Sequence, residues 1–149
     1  MNRHGIFDIQ VIRNGQIRAT YRVNNLITNE ALDREIKILT GETVNLRIAY
    51  FAIGSGNSTP YGTNTKLDSE FYRVVPDEGP EWTDTGKIQT SFTVPASGVS
   101  GTIAEIGVFA GSTATSATDS GILISRTLWN FVKTTDDLIV VNRIDEVKR

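Results

Sequence analysis

The sequence predicts an all-β fold with one short helix, an antiparallel β-sandwich or jelly-roll-like barrel that begins with a β-hairpin. Three observations lead there. Two alternating segments flank an Asn14-Gly15 pair, the dipeptide that most readily supplies positive φ at both centres of a tight hairpin turn. The run from Ile48 to Gly54 is almost unbroken in its apolar character and ends in Gly54-Ser55-Gly56, as a strand buried on both faces does. Further short strand-like segments follow, separated by Gly, Pro, Ser and Asp, for a total of roughly eight strands.

In chain order, residues 6–13 alternate, with Phe7, Ile9 and Val11 on one face and Asp8 and Gln10 on the other. Residues 16–23 alternate more regularly: Ile17, Ala19, Tyr21 and Val23 against Gln16, Arg18, Thr20 and Arg22. Together they form a hairpin with one wet face. Thr28 or Asn29 can cap a short helix, Glu30 and Asp33 favour its first turns, and Gly41 follows its end. Leu32, Ile36 and Leu39 fall at i, i+4 and i+7, a narrow stripe expected to lie on the sheet and cover it.

Beyond the apolar strand, residues 69–75 read as a strand that Pro76 ends. Residues 77–86, DEGPEWTDTG, read as a turn-rich acidic loop bearing Trp82. Residues 87–94 alternate again, 95–100 make a turn, and 101–110 form the strand GTIAEIGVFA. Residues 111–120 are rich in Ser, Thr and Ala and read as a mobile linker. Residues 121–129 and 138–144 suit a closing hairpin around a Thr-Thr-Asp-Asp turn, and the charged residues 145–149 read as a frayed end.

At 149 residues the chain reads as one domain, able to bury a core without staples. Residues 1–24 would be a hairpin available as an interaction arm. Fifteen basic and 17 acidic residues nearly balance, which argues against a general electrostatic grip on nucleic acid. The chain has no cysteine, so disulfides and thiolate metal sites are excluded. Its start alternates too early for a signal peptide, and no apolar run approaches the roughly 18 residues of a membrane span. The expectation is a soluble protein made in a cytoplasm, with no nucleic-acid and no membrane partner.

The candidate chemistry is thin. Gly54-Ser55-Gly56-Asn57-Ser58-Thr59 follows a strand as a phosphate loop would, but no Lys-Ser/Thr follows and Pro60 stands where a helix should begin. His4 is the single histidine, so neither a triad nor a histidine metal site can be assembled on it. Asp77, Glu78, Glu81 and Asp84 share one segment but lack the alternating ligands of a calcium loop. Glu105 stands inside an apolar strand, where a carboxylate needs a cationic or hydrogen-bonding partner. Arg73 and Arg126 are the candidates for that ion pair. A glycosidase acid would need a second inward carboxylate, and none is identifiable. No catalytic, cofactor or metal residue is therefore assigned. Trp82, Tyr61, Phe7 and Tyr21 are the candidate interface aromatics, and Trp129 reads as core.

A resemblance rests on these same segments. Asn25-Leu26-Ile27-Thr28-Asn29-Glu30-Ala31-Leu32 resembles the "N-L-(V/I)-T-N-x-G-L" approach to a short helix in small virion proteins of tailed bacteriophages. Tyr50 through Pro60 resembles their "hydrophobic-G-x-G-x-x-x-P" segment, and LDSEFYR at residues 67–73 their "L-x-x-E-x-x-R". AEIGVF at residues 104–109 is similar to their "x-E-(V/I)-G-(V/L)-F" strand, and Leu123-Ile124-Ser125-Arg126 takes the place of their "L-L-x-R". Ala31 departs from the glycine usual there, and the 111–120 loop is longer. The resemblance implies a non-enzymatic β-sandwich component of a phage particle, without cofactor. Its partners would be the major capsid protein or tail proteins, and it would form a homo-oligomer. Capsid decoration or cement is the first expectation, and a tail adaptor, baseplate or tail-fibre component the second.

Overall fold

The computed structural model describes residues 2–149. Its nine strands are β1 (Asn2–Arg13), β2 (Gln16–Ile27), β3 (Ile48–Gly54), β4 (Glu70–Val74), β5 (Glu78–Asp84), β6 (Lys87–Val94), β7 (Gly101–Ala110), β8 (Ile122–Lys133) and β9 (Leu138–Lys148). The one α-helix, α1 (Asn29–Lys37), runs into a 3₁₀ turn at Ile38–Thr40.

The strands join in a single antiparallel sheet, ordered β4-β3-β7-β8-β2-β1-β9-β6-β5. The contact between β8 and β2 is narrow, with only Leu26 and Ile27 pairing with Arg126 and Ser125. There the sheet curls, so that β4, β3, β7 and β8 face β2, β1, β9, β6 and β5 across the core. Phe7 of β1 meets Phe51 of β3 edge-on at 5.7 Å between ring centres, and Phe51 lies 5.5 Å from Phe92 of β6. Ile9, Val11, Val94, Ile106, Val108, Ile139 and Val141 fill the space around them. Each such side chain, fully buried, contributes about 1.5–3 kcal/mol. The all-β class with one short helix is therefore the observed one.

The Asn14-Gly15 turn forms as its sequence requires, with φ of 53° and 73°. The hairpin it closes is part of the sheet and not a free arm, because β1 pairs with β9 along its whole length. Phe7 is consequently a core residue with no exposed surface, and it cannot serve as a surface aromatic.

Four segments differ from the sequence reading. Residues 77–86 contain a strand, β5, which pairs with β6 through a tight turn at Thr85 and Gly86. Its Gly79 and Pro80 mask the alternation, as they do on edge strands. Residues 111–120 fold on themselves: the Ser120 hydroxyl accepts from Thr115 N (2.9 Å) and donates to Ala117 O (2.7 Å). Short polar side chains satisfying nearby backbone give this loop its shape. Strand β9 continues to Lys148, with Arg143 and Asp145 buried, so residues 145–148 are paired strand.

The helix is the fourth difference. Thr28 caps it, its hydroxyl accepting from Ala31 N (3.2 Å) and donating to Leu123 O (2.6 Å). Ala31, which has no exposed surface, is the helix's one buried residue. Leu32, Ile36 and Leu39 remain 43%, 60% and 81% exposed. The helix docks through its capped first turn, and its apolar stripe faces away from the sheet.

Candidate functional site

A dense polar constellation lies on the outer face of the β3, β7 and β8 half, under the loop at residues 55–69. The register of β7 on β8 shifts between Ile103 and Glu105. Ile103 and Ile106 both reach the core, while Glu105 is left facing the loop. It is nevertheless buried, with no exposed surface.

Four bonds hold the carboxylate. Oε2 accepts from Gly56 N (2.7 Å) and Ser69 N (2.9 Å), and Oε1 from Asp68 N (2.7 Å) and Arg126 Nε (3.0 Å). The loop thus presents its backbone N–H groups to an anion, as phosphate loops do, but the anion is the chain's own glutamate. These three N–H groups are already engaged by that glutamate.

Arg126 extends the network. Its Nη2 donates to Asp68 Oδ2 at 3.0 Å, and its Nη1 to Asn64 Oδ1 at 3.3 Å. Asp68 also accepts from the Ser58 hydroxyl and from Ser58 N. The Ser58 hydroxyl is the chief cause holding Asp68 below the ordinary carboxylate pKa; burial opposes it, and Ser58 N and Arg126 act in the same sense as the hydroxyl. Next to this network Leu67 packs with Ala52, Phe109 and Leu123. Polar and apolar contacts together clasp both ends of the loop to the sheet, and Asn29 N donating to Gly62 O (2.8 Å) ties its middle to α1.

The three candidates for the ion pair separate into two clusters. Glu105 pairs with Arg126. Arg73 pairs instead with Glu70, both side chains buried, through bonds of 2.7 and 2.8 Å. The same guanidinium donates to Thr115 O (2.9 Å) and Ser120 O (3.0 Å) and stacks 4.4 Å from the Phe109 ring centre. Arg73 therefore fastens the 111–120 loop, not the 55–69 loop.

Pattern reading missed a third buried cluster. Arg143 of β9 binds Asp145 through Nη2–Oδ1 (2.8 Å) and Nε–Oδ2 (3.0 Å), donates to Ser125 Oγ, and lies over the Phe7 ring at 4.9 Å. Arg3 adds a second cation to Asp145 at 2.8 Å. Burial tends to raise the Asp145 pKa, but the two arginines outweigh it and hold the carboxyl below its ordinary value. The signal was present in the strand's own parity. Ile139, Val141, Arg143 and Asp145 share one face, so a strand drawn to Lys148 puts a charge pair inside. Lys133, also buried, donates to the carbonyls of Ala96, Val99 and Thr134 at 3.0, 2.6 and 3.1 Å.

The aromatics do not gather into one patch. Tyr61 is exposed on the 55–69 loop, and Trp82 is exposed on the edge strand β5, in the other half of the sheet. Tyr21 is half-buried, 5.3 Å edge-on to Trp129, which stacks on Phe131 at 5.4 Å. Asp77, Glu78, Glu81 and Asp84 are all exposed. Among the described residues no three His, Cys, Asp or Glu side chains converge as metal ligands would.

What the clasp can do chemically is limited by its saturation. A general acid or nucleophile must meet substrate, and Glu105 meets only loop backbone and Arg126. Its effect is to give a 15-residue surface loop a fixed shape on a rigid sheet. Compared with family models, with curated proteins and with solved structures, the chain matches none.

Proposed function

We propose that this chain is a non-enzymatic structural protein of a bacteriophage particle, a decoration or cement protein that binds the assembled capsid shell. The observation that carries this reading is the convergence at the clasp. Gly56 and Asp68 of one loop, Glu105 of β7 and Arg126 of β8 lie in four segments that each resemble a segment of small virion proteins, and they meet in one hydrogen-bonded network. The fifth such segment joins them through Thr28, whose hydroxyl bonds Leu123 O beside that network. The segments that carry the resemblance thus lie near one another in the fold, with Glu70 and Arg73 forming a separate ion pair.

A cement protein presents a rigid surface to a shell that already has its final shape. The clasped loop with Tyr61 at its surface, set on a sheet with a filled core, supplies such a platform. The chain would be made in the host cytoplasm and end in the virion, with the major capsid protein as partner.

Trp82, exposed on the acidic edge strand β5, favours a second reading, a tail adaptor or fibre component contacting other tail proteins or the host. Cosedimentation separates the two. Purified chain mixed with assembled shells should pellet with them at a fixed stoichiometry, and it should not associate with unassembled capsid subunits. Chain that stays in the supernatant with shells but binds isolated tails overturns the decoration reading in favour of the tail one.

A further inference from the structure

We propose that the open mouth of the curled sheet is a binding site for a neutral sugar, with the Trp82 indole as the face on which a pyranose ring stacks. Trp82 pairs with Ile88 across β5 and β6, so the two side chains share a face, and Ile88 packs against the core. Val147 keeps the parity of Val141 in β9 and pairs with Arg3 of β1, so both of these face inward as well. Deeper along the same strands the facing half covers Phe7, Phe92 and Val141 completely. At the mouth it stops short, and Trp82 and Val147 remain 71% and 43% exposed. With Arg3, Glu35 and Asp145 they line a cavity of about 280 Å³. An apolar floor with a few polar groups is the common make-up of small-molecule sites.

The charges in the mouth are balanced, and that decides which ligand fits. Arg143 binds Asp145 (2.8 Å), Asp145 binds Arg3 (2.8 Å) and Arg3 binds Glu35 (3.2 Å). This row of two cations and two anions runs from the core to α1 and ends on Glu35. A charged ligand would find no uncompensated opposite charge along it.

Hydrogen-bonding capacity is left at the end of the row. Arg3 Nε donates to Glu35 Oε1, and Glu35 Oε2 has no partner among the described residues. A ligand hydroxyl donating to that oxygen makes a charge-assisted bond. A purely apolar occupant would cover the indole but strip water from Glu35 and return nothing. A pyranose supplies both needs. One of its faces is a set of C–H bonds, which the electron-rich face of an aromatic ring attracts, and its rim carries hydroxyls.

The inference goes beyond the virion reading and is tested on the purified chain, so either can fail without the other. Methyl glycosides of glucose, galactose and mannose, and N-acetylglucosamine, are titrated singly into isotope-labelled protein and followed by amide and indole N–H resonances. The range extends to about 100 mM, because one stacked ring with a few hydroxyl bonds supports a Kd of about 1–10 mM. The expected result is a saturable shift of the Trp82 indole and the Ile88 and Val147 amides with at least one sugar, while the Trp129 indole stays unmoved. Trp82→Ala should weaken that binding about tenfold or more, with unchanged circular dichroism, since the side chain it replaces is exposed. Tyr61→Ala, in the other half of the sheet, should leave the binding intact. Shifts from none of these sugars, shifts that map away from the mouth, or binding that survives Trp82→Ala would each overturn the site. Shifts at the mouth from methyl glucuronide or choline, with none from the neutral sugars, would overturn the ligand class.

Discussion

Glu105 and Arg126 sit on neighbouring strands but not opposite one another. Arg126 pairs across the ladder with Gly107, and Glu105 with Leu128. Their side chains meet on the diagonal at 3.0 Å, within reach for long residues on one face of an antiparallel pair. Gly107, opposite Arg126, leaves room for Leu67, whose Cδ2 would stand 2.8 Å from a Cβ there. The pair is stabilising chiefly because three loop N–H groups share the carboxylate, and its purpose is to hold the loop at residues 55–69.

Arg126→Met should therefore cost about 3–5 kcal/mol, the usual penalty for leaving one member of a buried pair uncompensated. Urea denaturation measures it. The amides of Gly56, Asp68 and Ser69 should exchange with solvent much faster in this variant, while those of β1 and β9 are little changed. Uniform acceleration across the chain would mean that the clasp holds the whole sheet and not the loop in particular.

Gly54→Ala tests the close approach of strand and loop. A Cβ at this position would lie 2.6 Å from Ser69 O and 2.9 Å from the Glu105 carboxylate. Backbone cannot retreat as a flexible side chain can, so the substitution should destabilise by about 1–3 kcal/mol. Thermal melting of the two proteins side by side reads the difference, and an unchanged melting temperature would show that the loop is free to shift.

Acid should act through the Arg143 cluster. Burial works to raise the Asp145 pKa, and Arg143 and Arg3 together overcome it, so the folded value lies below that of the unfolded chain. A depressed carboxylate contributes stability that is complete above about pH 4 and is lost as pH falls through the folded value. Asp145→Asn should lower stability at neutral pH and flatten its decline below about pH 4. If the variant's acid unfolding curve overlays that of the parent, Asp145 is not a group whose protonation drives the loss.

The two tryptophans report on opposite environments. Trp82 is 71% exposed on β5, and Trp129 is 5% exposed between Tyr21 and Phe131. Trp82→Phe should remove the iodide-quenchable, red-shifted part of the emission and leave a blue-shifted remainder that iodide barely touches. Emission still strongly quenched in that variant would contradict the aromatic packing at Trp129.

The elements that were legible in the sequence are those whose pattern is local. Asn14-Gly15 sets its own turn, β3 shows its burial as an apolar run, and Thr28 sits where a cap must sit. What could not be read depends on partners far along the chain. The choice of Arg126 over Arg73 for Glu105 turns on the diagonal register of β7 and β8, and Arg73 finds Glu70 only because a register irregularity at Gly54 accompanies β4. The periodicity of Leu32, Ile36 and Leu39 was correct, but an amphipathic stripe does not say what it faces. In β9 the apolar parity continues into Arg143 and Asp145, so charge that reads as a chain end is a buried pair.

Immunogold labelling of intact phage particles, with antibody raised against this chain, bears on the virion role more directly than any of these. Gold spread over the heads is the expected result, and its loss from particles lacking the protein would complete it. Gold confined to tails would contradict decoration, and gold on neither structure, from an antibody that recognises the folded chain, would contradict the virion role itself.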